Sequence, residues 1–185
     1  MEPPDRQAER LRALLAEAPE GEWKAELRFR LAEQYTSDPQ ARVALLQQAL
    51  AQADYARNDE VTLSLARVWW ELGERAQAVA ALEHLVATWP ESGAVDHAWL
   101  LLGDDAFERR DWALARERYL KVGYSNQPGL ADIAAYRLAW CTWAQGRYAD
   151  ARMGMAAVVK TATDPVLHEA ANQDLIRMEA DLRAR

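Results

Sequence analysis

The sequence predicts an all-α fold, an α-solenoid of stacked helix-turn-helix units closed by a helix at each end, and three observations predict it. Leu31-Ala32, Leu65-Ala66, Leu102-Gly103 and Leu138-Ala139 repeat one two-residue step at intervals of 34, 37 and 36 residues. Such an interval is the size of one helical hairpin in arrays whose units bury their apolar faces only against their neighbours. Twelve residues after the second member of each step stands an alanine: Ala44, Ala78, Ala115 and Ala151. Between these marks apolar residues return at spacings of three and four, and Gly or Pro stands at the breaks.

Taken in order, Leu11, Leu14, Leu15 and Ala18 share one face of a helix over 5–18, which Pro19 and Gly21 stop. A second helix carries Leu27, Leu31 and Tyr35 and runs to about Tyr35. Asp38-Pro39 then offers an N-cap with proline at the first helical position, opening a helix over 39–53 with Val43, Leu46 and Leu50 on one side. These two helices make a first unit over 24–56. The second unit, 57–92, places Val61, Leu65, Val68 and Trp69 before a turn at Gly73-Glu74, with Val79, Leu82 and Val86 after it. The third, 93–130, has Trp99, Leu102 and Phe107, a turn at Arg110-Asp111, then Leu114, Ala115 and Tyr119. In the fourth, 131–164, Tyr136, Leu138, Trp140 and Trp143 precede Gly146-Arg147, and Ala151, Met155 and Val158 follow. Asp164-Pro165 repeats the capping device and opens a closing helix over 165–183, with His168, Glu169, Asp174 and Arg177 expected on its polar outer side. One domain over 1–185 accommodates all of this.

Composition narrows the function. Half the residues are hydrophobic and eight are Trp, which supports a folded core. Lys and Arg total 22 against 29 Asp and Glu, a net charge of −7 that opposes binding to a phosphate backbone. No apolar run approaches the ~20 residues that span a bilayer. Met1-Glu2-Pro3-Pro4-Asp5 has neither the basic nor the apolar region of a secretory signal. The expectation is cytoplasmic, with a periplasmic or envelope-associated location as the alternative for a mature or excised fragment. Cys141 has no second cysteine to pair with.

No catalytic constellation is visible. Asp104, Asp105 and Glu108 lie within one helical turn or so, yet they neighbour Arg109 and Arg110 and read as a solvated helix surface, short of the six or so oxygens calcium takes. His84, His97 and His168 lack zinc-ligand spacing and read as surface residues. Cys141 sits in an apolar helix and reads as a small core residue. No glycine loop to cradle phosphate occurs. The expectation is therefore no enzyme activity, no metal and no cofactor.

The third unit, through Trp99, Leu102, Gly103, Phe107, Asp111, Trp112, Ala115 and Tyr119, resembles the tetratricopeptide repeat. Leu138, Gly146, Tyr148 and Ala151 of the fourth and Leu65, Trp69, Gly73, Ala78, Leu82 and Pro90 of the second carry the same likeness. The first relies on Leu31, Ala32, Tyr35 and Ala44 and has no turn glycine. Two phrases, Thr88-Trp89-Pro90-Glu91-Ser92 and Tyr136-Arg137-Leu138-Ala139-Trp140-Cys141, are similar to repeats of bacterial cell-envelope proteins.

The resemblance implies a right-handed α-solenoid acting as a scaffold or adaptor, with a concave groove lined by the first helix of each unit. It selects Phe29, Glu33 and Thr36; Leu63, Arg67, Trp70 and Glu71; His97, Leu100, Asp104, Phe107 and Glu108; and Tyr136, Trp140 and Trp143 as partner-facing residues. Aromatics gather in the last two units, and Glu33, Glu71, Asp104 and Glu108 bias the surface acidic, which favours an apolar or basic protein segment as partner. Two readings of Trp140 and Trp143 stay open, groove residues or packing against the following helices. The family's carboxylate clamp needs Lys, Arg and Asn, whereas Glu26, Phe29, Arg30 and Glu33 occupy its place, so a cochaperone role is disfavoured. The alternative function is a structural module that self-associates, or joins a larger complex, through its end faces.

Overall fold

The computed structural model describes residues 4–35, 37–123, 125 and 127–184. Among these residues are ten α-helices and no strand: α1 (Pro4–Glu17), α2 (Glu22–Gln34), α3 (Pro39–Leu50), α4 (Asn58–Glu71), α5 (Arg75–Thr88), α6 (Val95–Glu108), α7 (Trp112–Val122), α8 (Pro128–Ala144), α9 (Tyr148–Thr161) and α10 (Pro165–Ala184). The all-α solenoid class predicted from the repeats is the one observed. Helix α3 stops three residues before the expected Ala53, because the Asn58 side chain captures the Gln52 and Ala53 carbonyls, each at 3.0 Å, and folds the chain into α4.

Two compact units divide the chain, residues 1–95 and 96–185. In the first, α1 lies on α2, α2 and α3 form a hairpin, α3 packs on α4, and α4 and α5 form the next hairpin. Its core joins Ala25, Phe29 and Ala32 to Leu46, Ala49, Tyr55, Val61, Leu65 and Val68. In the second, Ala106, Ala115 and Tyr119 of α6 and α7 pack with Cys141 of α8. Helices α8, α9 and α10 then follow around Ala139, Met155, Val158, Ala171 and Met178. Each Leu, Val or Met side chain so buried is worth about 1.5–3 kcal/mol relative to exposure.

The repeated step sets the helix contacts. Ala32, Ala66, Gly103 and Ala139 are all buried, as are Ala78, Ala115 and Ala151 on the returning helices. Gly103 shows why the residue must be small: a Cβ there would lie 2.4 Å from Cε1 of Tyr119, whose ring crosses α6 at that point. Seven residues past the small residue, α4, α6 and α8 turn through left-handed backbone at Gly73 (φ 78), Arg110 (φ 62) and Gly146 (φ 79). In each, the next amide reaches back five residues, from Glu74 to Trp69 at 2.8 Å, Asp111 to Ala106 at 2.9 Å and Arg147 to Thr142 at 3.1 Å. This is the Schellman closure, which glycine enters freely and a side-chain-bearing residue such as Arg110 enters at about 1–2 kcal/mol.

Ala44 departs from the predicted register, since it is exposed. Buried positions in the other returning helices are spaced four and then three, as in Ala78, Leu82 and Leu85. In α3 the last two of these are Leu46 and Ala49, which makes Arg42 the counterpart of the buried alanines. Helix α2 ends two residues after Ala32, whereas α4, α6 and α8 run five residues past theirs, so the chain returns two residues early. Arg42 instead ion-pairs with Glu71 of α4 at 2.7 Å. Asp174 is a second departure: it turns inward to accept from Tyr136 Oη at 2.5 Å and from Trp140 Nε1 at 3.3 Å, leaving His168, Glu169 and Arg177 on the exposed side of α10.

Candidate functional site

Three of the expected partner-facing residues occupy one recurring position, four residues after the small residue, and each is met by the residue five after it. The Arg75 guanidinium lies 3.9 Å from the Trp70 ring centroid. Phe107 meets Trp112 edge-on at 4.9 Å, and Trp143 meets Tyr148 edge-on at 4.7 Å. Each pair clasps a hairpin beside its left-handed turn and leaves the first aromatic half-exposed. Such contacts are worth about 0.5–1.5 kcal/mol beyond burial and hold the ring in place.

The other expected residues are distributed unevenly. Phe29 and Leu63 are 2% and 7% exposed and belong to the interior, so no partner can touch them without unfolding. Glu33, Arg67 and Glu71 are exposed, with Glu71 paired to Arg42. His97 and Leu100 are half-buried and Glu108 is exposed. Tyr136, Trp140 and Trp143 all pack on the core that α8 shares with α9 and α10, and Tyr136 and Trp140 are in addition joined to Asp174. Thr36 lies outside the described residues.

The carboxylates are more tied down than an open acidic groove requires. Asp104 accepts from Tyr119 Oη at 2.6 Å and pairs with Arg137 at 3.2 Å, linking α6, α7 and α8. Burial and this carboxylate hold the Tyr119 phenol protonated far above its usual range. Asp105 is buried, 2.8 Å from Arg109 and 4.0 Å from Arg118, whose guanidinium also donates to the Leu102 carbonyl. The expected solvated surface at Asp104 and Asp105 is therefore corrected to interhelical bonding, because both face α7. Among the described residues, no group of three His, Cys, Asp or Glu side chains could hold a metal ion, and no helix is long and apolar enough to cross a membrane.

A concavity lies on a face that the sequence left to solvent. Between α3, α4 and α5 opens an apolar cleft of about 540 Å³. Asn58, Thr62 and Leu65 form its buried floor, Trp69 and Trp89 its half-buried walls, and Gln77, Ala80 and His84 its exposed rim. Residues 62, 65 and 69 point about 130° around α4 from 63, 67 and 70, at roughly 100° per residue. A second hollow of about 590 Å³ lies between α1 and α2, lined by Leu14, Trp23, Arg30 and Glu33 among others.

Residues 43–92 match the model of the tetratricopeptide repeat. Over those residues the chain carries a tetratricopeptide repeat. Its fold is similar to that of the C-terminal part of a TPR repeat-containing protein from Cytophaga hutchinsonii, at TM-score 0.70 and 12% identity, covering 96% of this chain and 75% of that one. MamA from Desulfovibrio magneticus RS-1 is similar at TM-score 0.64 and 13% identity, over 87% and 96% of the two chains. The nearly identical TPR-like repeats of a Podosopora anserina kinesin light chain are similar at 0.67 and 20%, over 84% of each. At these identities the likeness is one of fold. No curated protein matches the sequence significantly.

Within the helical hairpins, the ring partners Arg75, Trp112 and Tyr148 are what the partner-facing positions left out. Their constant step of five from Trp70, Phe107 and Trp143 is legible in the sequence and marks the clasp. The cleft gave no such signal, because Gln77, Ala80 and His84 read as ordinary solvent positions of a tetratricopeptide repeat's second helix.

Proposed function

We propose that the chain is a non-catalytic protein-interaction scaffold that holds a peptide or protein segment along the first helices of its repeats. The carrying observation is the half-exposed aromatic repeated at Trp70, Phe107 and Trp143, each fixed by a stacked neighbour. Rigid aromatics lose little entropy on binding and are the residues that dominate interface energetics. Arg67, Glu71, His97, Leu100 and Glu108 lie beside them on the same helices. Phe29 and Leu63 take no part in this surface, and Tyr136, Trp140 and Asp104 support it from within.

Trp143→Ala and Phe107→Ala test the reading. Capture of a bound protein partner should weaken by the ~2 kcal/mol or more of an aromatic hot spot, while stability falls by about 1–3 kcal/mol, the lost ring pair together with the buried half of each ring. A loss of ~3–5 kcal/mol in stability, the value for a fully buried aromatic, would refute it.

A second reading, self-association through the end faces, is favoured by Trp23 at 55% exposure on α2, and by Val166 and Ile176 at 78% and 60% on α10. Light scattering decides it: a multimer that Trp23→Lys or Ile176→Lys reduces to a monomer supports end-face assembly.

A further inference from the structure

We propose that the cleft between α3, α4 and α5 is a docking pocket for one bulky uncharged side chain of a protein partner, flanked in that partner by Lys or Arg. The site goes beyond the first-helix surface, since it uses the other side of α4. Its volume of about 540 Å³ falls within the ~300–1,000 Å³ of ligand-binding clefts. No Asp, Glu, Lys or Arg lines it, so a charged group would lose its hydration there without compensation. Trp69 and Trp89 present half-buried ring surface, and Trp89 is fixed by the edge-on His84 ring at 5.5 Å.

The space exists because α5 carries Ala80 and Ala81 fourteen and fifteen residues after its small residue. Helix α7 has the larger Glu117 and Arg118 at the same step, and α9 has Met153 and Gly154. Charge selects the flanks of the occupant. No Lys or Arg occurs between Arg75 and Arg109, and Glu83 and Glu91 neighbour the cleft residues His84 and Trp89 in sequence. Residues 1–95 hold sixteen acidic against ten basic side chains, which carries most of the net charge of −7. An apolar anchor between basic residues meets both the neutral interior and the acidic surround.

The test titrates the full 15N-labelled chain with capped Lys-Gly-Phe-Gly-Lys, Glu-Gly-Phe-Gly-Glu and Lys-Gly-Ser-Gly-Lys. The Trp69 and Trp89 indole N–H signals, assigned by Phe substitution, should shift with the Lys-flanked Phe peptide. Binding of the Glu-flanked peptide should be about 5-fold weaker or more, and the Ser peptide should leave both signals in place. Ala80→Phe, which fills the cleft, should abolish the shift, and Ala81→Leu serves the same purpose if Ala80→Phe fails to fold. The proposal is overturned by no shift at millimolar Phe peptide, by an equal response to the Ser peptide, by tighter binding of the Glu-flanked peptide, or by an undiminished shift in the folded, filled variant. Shifts confined to Trp70 and Trp143 would overturn it too while leaving the first-helix reading standing. Loss of partner capture in Trp143→Ala with the cleft signals still responsive would likewise separate the two.

Discussion

Gly103→Ala isolates the contact on which the third hairpin closes. The added methyl would sit 2.4 Å from Cε1 and 2.6 Å from Cδ1 of Tyr119, where ordinary contact begins at 3.4 Å. The ring cannot swing clear, because it is fully buried and its hydroxyl is held by Asp104 at 2.6 Å. One helix must move by about 1 Å, and overpacking of this kind costs about 1–3 kcal/mol. Alanine offsets part of that, since it is favoured over glycine by about 1 kcal/mol within a helix. The expected net loss is up to about 2 kcal/mol, or up to roughly 8 °C in melting temperature for a chain of this size. Urea denaturation should show a lower midpoint at an unchanged slope. Tyr119→Leu restores room: Ala66 and Leu82 stand sixteen residues apart, as positions 103 and 119 do, and both are fully buried. The double variant should therefore be more stable than the sum of the single losses by about 1 kcal/mol or more. Stabilisation of Gly103→Ala by ~1 kcal/mol, as at an uncrowded helical glycine, would refute the reasoning.

Gly154 provides the contrast, since a Cβ there would meet Ala139 Cβ at an ordinary 3.6 Å; Gly154→Ala should raise the urea midpoint by an amount equivalent to about 0.5–1 kcal/mol. Burial, and after it the Asp104 charge, push the Cys141 thiol up to about 11, so about one thiol in a thousand is ionised at pH 8. A disulfide reagent should therefore label the folded chain only as it unfolds, and prompt labelling in native buffer would contradict the burial. Burial pushes the Glu26 carboxyl up, but hydrogen bonds from Tyr55 and Arg30 and the charge of Arg57 outweigh it, and the net shift is downward. A lowered folded pKa gives stability that is complete above the unfolded value and lost as pH falls through the folded one. Glu26→Gln should accordingly lower the urea midpoint at pH 7 and flatten its decline between pH 5 and pH 3.

The second, third and fourth hairpins were legible because three marks recur at fixed distance: the small residue, the left-handed turn seven later and the alanine twelve later. Arg110 shows that the frame outlasts the glycine that usually reveals it. The first hairpin was misread by two residues, because Ala44 satisfied the spacing while α2 had already ended. Counting alone cannot see a shortened helix. Asp104, Asp105 and Asp174 were assigned to solvent on local pattern, yet their partners Tyr119, Arg118 and Tyr136 come from other helices. Partner-facing positions were legible where a repeated aromatic marks them. They were misplaced at Phe29 and Leu63, which share one helix position, three residues before the small residue, and are buried there.

The two-residue advance of the first hairpin bears on how such a chain can grow. A hairpin that keeps the seven-and-twelve frame presents the same small residue, turn and alanine each time, so a copied segment of 36 or 37 residues from the later repeats docks on the contacts it came from. Segments cut from around α2 and α3 would instead bring Arg42 to an alanine's place, with a Glu71 counterpart required in the next unit. Lengthening by duplication is thus open to three of the four hairpins, and the remaining one needs a carboxylate in the place of Glu71 on the helix that follows it.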